Sequence, residues 1–164
     1  MIIKFSELDR VYVPIYIKPL NSYTMLQREF KVDTGADSTT ISKEVLYNMG
    51  YTPQWVNSNI IEKGFITLAN NTEVEAGVIQ LSVINILGYE CKQWPFIIII
   101  EDGVDFRNLL GRDLLAGFNY MFNNDKKEFN IENSKSFSYI GKRYKGQDIH
   151  NLEQLKPSSI FSRV

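Results

Sequence analysis

The chain is poor in the residues that build metal and redox chemistry. It holds one cysteine, Cys91, and one histidine, His150, in 164 residues. A lone cysteine excludes an internal disulfide and matches a reducing compartment. No cluster of Cys and His has ligand spacing, so neither a zinc site nor any other metal or cofactor is expected. Cys91 and His150 are far apart and His150 sits in a polar stretch, which disfavours a Cys–His nucleophilic pair. The chain also lacks an excess of one charge. At a formal net charge of −1, there is no electrostatic ground for binding nucleic acid or an anionic membrane. Lys135, Lys142, Arg143 and Lys145 gather toward the C-terminus and read as a solvated face. Long apolar runs are missing too. The strongest, "WPFIIII" from Trp94 to Ile100, is too short to span a bilayer and reads as a buried strand. Lys4, Glu7, Asp9 and Arg10 interrupt the opening segment, so no signal-peptide apolar stretch is expected there. The expectation is a soluble, cytoplasmic chain without membrane or nucleic-acid partners.

What the chain does contain is enough apolar sequence, 44% of it, for one domain with a sizeable core. "RVYVPIYIKPL" alternates and is rich in β-branched and aromatic residues, which predicts a strand with Pro14 at an edge or bulge. "QREFKV" predicts a second strand running into Asp33. "ISKEVLYNMG" predicts a short helix with Ser42 as N-cap and Gly50 at the stop, and "YTPQWVNSN" a loop. "KGFITLANNTEVEAGVIQLSVINI" predicts a hairpin turning on two residues, Asn70 and Asn71. One or two strands follow in "GYECKQWPFIIII", then a turn at Glu101 to Gly103. "YMFNNDKKEFNIE" predicts another hairpin. Many short strands with brief helices indicate an all-β closed barrel or sandwich. Past Glu132 the chain turns polar. The reading is a domain over 1–132 and a C-terminal extension over 133–164, an arm or tail with a short helix near Ile149 to Leu155.

Two segments carry chemistry. The first is "FKVDTGADSTTIS", a strand that ends in an acid, a hydroxyl and a glycine. The second is "NLLGRDLLAGF", from Asn108 to Phe118, where two apolar residues meet a glycine, an arginine and a short apolar helix. Asp-Thr-Gly by itself is ordinary turn composition. The two segments in this order, with a hairpin between them, resemble the retropepsins, the single-domain aspartic proteases. The matching residues are Asp33, Thr34, Gly35, Ala36 and Asp37, then Leu109, Leu110, Gly111, Arg112 and Asp113. The resemblance covers roughly residues 10 to 132.

The resemblance implies a retropepsin-like fold with one lobe per chain, two lobes per homodimer, and aspartic endopeptidase activity on a peptide or protein substrate. Metal-free peptide hydrolysis needs a base and an acid at one water. Two carboxylates sharing a proton supply both, because like charges about 3 Å apart cannot both ionise. One Asp-Thr-Gly per chain then calls for a homodimer with Asp33 from each subunit. Gly35 lets two loops approach. By resemblance Thr34 locks the loops together, Ala36 and Asp37 lie near substrate, and Arg112 with Gly111 braces the loop by pairing with Asp37. The hairpin tip, Leu68, Ala69 and Asn70, is the expected flap over substrate. The competing reading is a non-catalytic module of the same fold that binds peptide or dimerises. A glycoside hydrolase with paired carboxylates is a weaker one, since no second acid has a motif of its own.

Overall fold

The computed structural model describes residues 1–6, 10–104 and 106–134. The expected C-terminal arm from Lys135 onward, with its basic cluster, His150 and the short helix near 149–155, lies outside the described residues.

The described chain is built mainly of strands. β1 (Ile2–Lys4) is followed by β2 (Tyr12–Ile17) and β3 (Leu26–Val32). In β2, Val13, Ile15 and Ile17 point inward while Tyr12 and Tyr16 stay exposed, as the period of two requires. Pro14 faces Glu29 of β3, but β5 (Glu73–Ile86) pairs with β2 only at Tyr16 and Ile17. Pro14 therefore occupies a stretch with one ladder neighbour, where a missing N–H is tolerated.

α1 (Lys43–Asn48) starts as its sequence predicts. Ser42 caps it by accepting from the Val45 N–H, and Gly50 follows its end at φ +83°, a conformation that suits glycine. The segment read as a loop, 51–59, instead contains a helix, α2 (Pro53–Ser58). Thr52 is its N-cap, accepting from the Trp55 N–H, and Pro53 stands in the first turn, where its missing N–H costs nothing. Tyr51 and Val56 anchor this helix in the core.

β4 (Glu62–Thr67) and β5 form the expected hairpin in a register from Glu62–Val78 to Thr67–Glu73. Its turn is longer than two residues. The Leu68 N–H donates to the Thr72 carbonyl at 2.9 Å, and Asn71 takes φ 62°. Ala69, Asn70 and Asn71 thus make a three-residue loop with Asn in the left-handed position. "GYECKQWPFIIII" forms a single strand, β6 (Tyr89–Ile99), paired with β5 from Ala76–Ile99 to Ile86–Tyr89. β7 (Leu109–Leu110) runs parallel to the end of β3, and α3 (Arg112–Leu115) follows at once. β8 (Phe118–Asn123) and β9 (Glu128–Asn133) form the last expected hairpin, with β1 added on the far side of β9.

The larger sheet runs β4-β5-β2-β3-β7, with β6 also on β5. Residues 39–41 close the circuit. Thr40 bridges Leu109 of β7 on one side and Ile97 of β6 on the other. Hydrogen bonds then connect β2, β3, β7, this segment, β6 and β5 in a ring, so the fold is all-β and the larger sheet closes on itself. Phe30, Trp94, Phe96, Ile15, Ile17 and Leu110 fill the inside. A second cluster, Ile66, Val74, Ala76, Val78, Ile97 and Ile99, lies under the β4–β5 hairpin.

Candidate active site

The Asp33 loop leaves the sheet between two parallel strands. Its first N–H continues the ladder, donating from Asp33 to the Leu110 carbonyl at 3.1 Å. The chain then turns. The Ala36 N–H donates to the Asp33 carbonyl at 3.2 Å, and the Gly35 N–H donates to Asp33 Oδ1 at 3.0 Å. The catalytic candidate is therefore oriented by its own loop. A Cβ on Gly35 would stand 3.2 Å from that carboxylate oxygen, so glycine keeps one side of Asp33 clear. Asp33 is half-buried, whereas Thr34 and Gly35 are exposed at the crest of the loop.

The second motif supports the loop from below. The Arg112 N–H donates to the Ala36 carbonyl at 2.9 Å, and the Asp113 N–H to the Asp37 carbonyl at 3.1 Å. Arg112 Nη2 also pairs with Asp37 Oδ1. This pair is not a buried one. The Arg112 side chain is 58% exposed and that of Asp37 26%. Gly111 has a specific steric reason. A Cβ there would meet the Ser38 carbonyl carbon at 2.4 Å and the Thr39 nitrogen at 2.8 Å. The two motifs cross backbone against backbone.

A further element lies beneath the crossing. The Asp113 Oδ1 accepts from the Thr39 hydroxyl at 2.6 Å, the Thr39 N–H at 3.0 Å and the Leu114 N–H at 2.7 Å. The Thr39 hydroxyl oxygen in turn accepts from the Gly111 N–H at 3.1 Å. Burial pushes the Asp113 carboxyl up to about 6, against the lowering effect of the Thr39 and Leu114 hydrogen bonds. Asp113 was legible as a motif position, but the part played by Thr39 was not. Its only signal was a second hydroxyl residue just past the loop.

The structure thus brings Asp33, Thr34, Gly35, Ala36 and Asp37 together with Gly111, Arg112 and Asp113. Leu68, Ala69 and Asn70 stand apart at the hairpin tip. Leu68 packs on the second cluster with Val104 and Phe106, and Asn70 Oδ1 accepts the Thr72 N–H at 3.0 Å. Among the described residues no group of His, Cys, Asp and Glu could hold a metal ion, and no helix is long and apolar enough to cross a membrane.

Fold and crossing place the chain in the retropepsin-like class. Residues 25–117 match the family model described as "gag-polyprotein putative aspartyl protease", and the chain belongs to that family. A retropepsin-like aspartic protease from Rickettsia conorii aligns with a TM-score of 0.57 at 25% sequence identity, over 80% of this chain and 97% of that one. The retroviral protease-like domain of Ddi1 from Leishmania major aligns with a TM-score of 0.47 at 20% identity, over 76% and 90% of the two chains. Comparison with curated proteins gave no match.

Proposed function

We propose that this chain is one half of a homodimeric aspartic endopeptidase, in which Asp33 of each subunit activates a water for peptide-bond hydrolysis. The observation that carries the reading is the Asp33 loop itself. Its carboxylate is oriented by the Gly35 N–H, its crest is exposed, and its base is locked by a second motif. One such loop supplies one carboxylate, and the reaction needs a base and an acid. A twofold-related copy supplies the other. Thr34 and Gly35, exposed at the crest, are the residues that meet across the axis.

The smaller sheet favours the same assembly. Among the described residues β8 is an edge strand of the order β1-β9-β8, and it exposes Tyr120, Met121 and Phe122 by 39, 60 and 41%. An apolar edge strand is a template for another strand, and a second copy of β8 across a twofold would cover it. Substrate would lie over the two Asp33 carboxylates, with Ala36 and Asp37 beside its backbone. Leu68, Ala69 and Asn70 would act as the flap that excludes water. A reducing compartment such as the cytoplasm suits the buried thiol of Cys91.

The test is a peptide library incubated with wild type and with Asp33→Asn. Cleavage by the wild type that the variant loses, at unchanged thermal stability, is the expected result. A wild type that dimerises and binds peptides without cleaving them would make the chain a non-catalytic module of this fold.

A further inference from the structure

A cavity of about 420 Å³ lies between α1 and the segment of Glu101, Asp102, Gly103, Val104 and Phe106, and none of residues 33–37 lines it. That is an adequate size for one large side chain and its flanking backbone. Tyr47, Ile99, Val104 and Phe106 give it apolar walls, and Glu44, Glu101 and Asp102 stand around it with Lys43 as the one cation among the described residues that line it. Three carboxylates against one ammonium leave an acidic rim over an apolar floor.

One wall of the cavity is itself an alkylammonium side chain. Lys43 lines it, and its Nζ donates to the Ile100 carbonyl at 2.9 Å and to Asp102 Oδ1 at 3.2 Å. This end of the cavity therefore offers a carbonyl and a carboxylate to a cation on a methylene stem. Glu44 and Glu101 line the same cavity and form no ion pair among the described residues. Glu101 Oε1 accepts the Glu75 N–H at 2.9 Å, which ties the rim to β5.

We propose that this cavity is an accessory subsite for a basic side chain, Lys or Arg, of a peptide substrate. The proposal rests on the endopeptidase reading for its context and adds the substrate's chemical class. The methylene stem packs on Tyr47, Val104 and Phe106, and the charged head meets Glu44 and Glu101, an amphipathic fit that long cations favour.

The site is connected to both ends of the machinery. Val104 and Phe106 also pack against the cluster that holds Ile66 and Val74 of the β4–β5 hairpin, as Leu68 does. At the other wall, the Ser42 N–H donates to Asn108 Oδ1 at 2.9 Å, joining the start of α1 to the strand that leads into Gly111. Filling the cavity supports the hairpin from beneath.

The experiment measures binding apart from cleavage. An arginine-containing tetrapeptide amide and its citrulline counterpart, equal in shape but uncharged, are titrated into the full-length Asp33→Asn protein by nuclear magnetic resonance. Expected are shifts at Tyr47 and Phe106 and at least tenfold weaker binding of the citrulline peptide. The Glu44→Gln/Glu101→Gln variant, which keeps an acceptor for the Glu75 N–H, should lose the arginine preference. In otherwise wild-type protein, the same double substitution should raise KM for arginine-containing substrates about tenfold and leave neutral peptides unchanged. Equal binding of the two peptides, or an arginine preference that survives the double substitution, overturns the subsite. Failure of all cleavage with intact arginine binding would overturn the endopeptidase reading and leave the subsite standing.

Discussion

Asp113 holds Thr39 by two hydrogen bonds to one carboxylate oxygen, from the hydroxyl at 2.6 Å and the N–H at 3.0 Å. Through the Thr39 hydroxyl, which accepts the Gly111 N–H, this pair fastens the segment after the Asp33 loop to the turn before Arg112. The loop is thereby held by an inward-facing carboxyl in addition to the solvent-facing Arg112–Asp37 pair.

That carboxyl makes stability depend on pH. Its folded value, about 6, lies above the ordinary 3.8. The folded state binds the proton more tightly, so the contribution is fully present below pH 3.8 and is lost as pH rises through about 6. Its size is on the order of 3 kcal/mol at most. Asp113→Asn keeps the Oδ1 acceptor and has no charge to bury. Its urea midpoint should match wild type near pH 4 and exceed it near pH 8, and an unchanged pH difference in the variant would refute the assignment.

Gly111→Ala should be among the most damaging single changes. A methyl group cannot occupy a point 2.4 Å from the Ser38 carbonyl carbon, and the obstacle is backbone that both motifs hold in place. Overpacking of this kind costs about 1–3 kcal/mol or more. Thermal denaturation against Gly88→Ala makes a control, since a Cβ at Gly88 meets nothing within 4 Å, although its φ of +86° adds a strain of its own. A smaller loss at Gly111 than at Gly88 would contradict the crossing.

Arg112→Ala should cost little in the isolated chain, because both partners of its pair reach solvent and such pairs contribute about 0–1 kcal/mol. Its effect should appear in the peptidase rate, through a loosened Asp37 at the edge of the site. Exposed Lys126 is the comparison. Equal rates for Arg112→Ala and Lys126→Ala would remove the pair from function.

Assembly is testable at β8. Met121→Lys places a charge at the centre of the exposed Tyr120-Met121-Phe122 edge, where strand pairing with a second copy would bury it. On the proposed homodimer, sedimentation should show a dimer for wild type and a monomer for Met121→Lys at the same concentration, and peptidase activity should fall with it. A dimer unaffected by Met121→Lys would place the twofold interface elsewhere.

Much of this protein was determined by local sequence. Alternation in "YVPIYI" and the apolar run of β6 set the strands, because a period of two and a continuous buried run are properties of neighbouring residues. Ser42 and Gly50 marked the ends of α1, and Asp33-Thr34-Gly35 with Gly111-Arg112 marked the candidate site. The Thr52-Pro53 pair carried the start of α2 as well, but it stood in a segment whose polar residues read as a loop. Tertiary structure alone decided the rest. It set Thr40 between β6 and β7 to close the sheet, put the Ser38 backbone against Gly111, and turned the Asp113 carboxyl toward Thr39. These contacts join residues more than fifty positions apart, and nothing in a chain's local periodicity encodes which distant backbone will arrive beside it. That is settled only when the apolar faces of several strands are buried together.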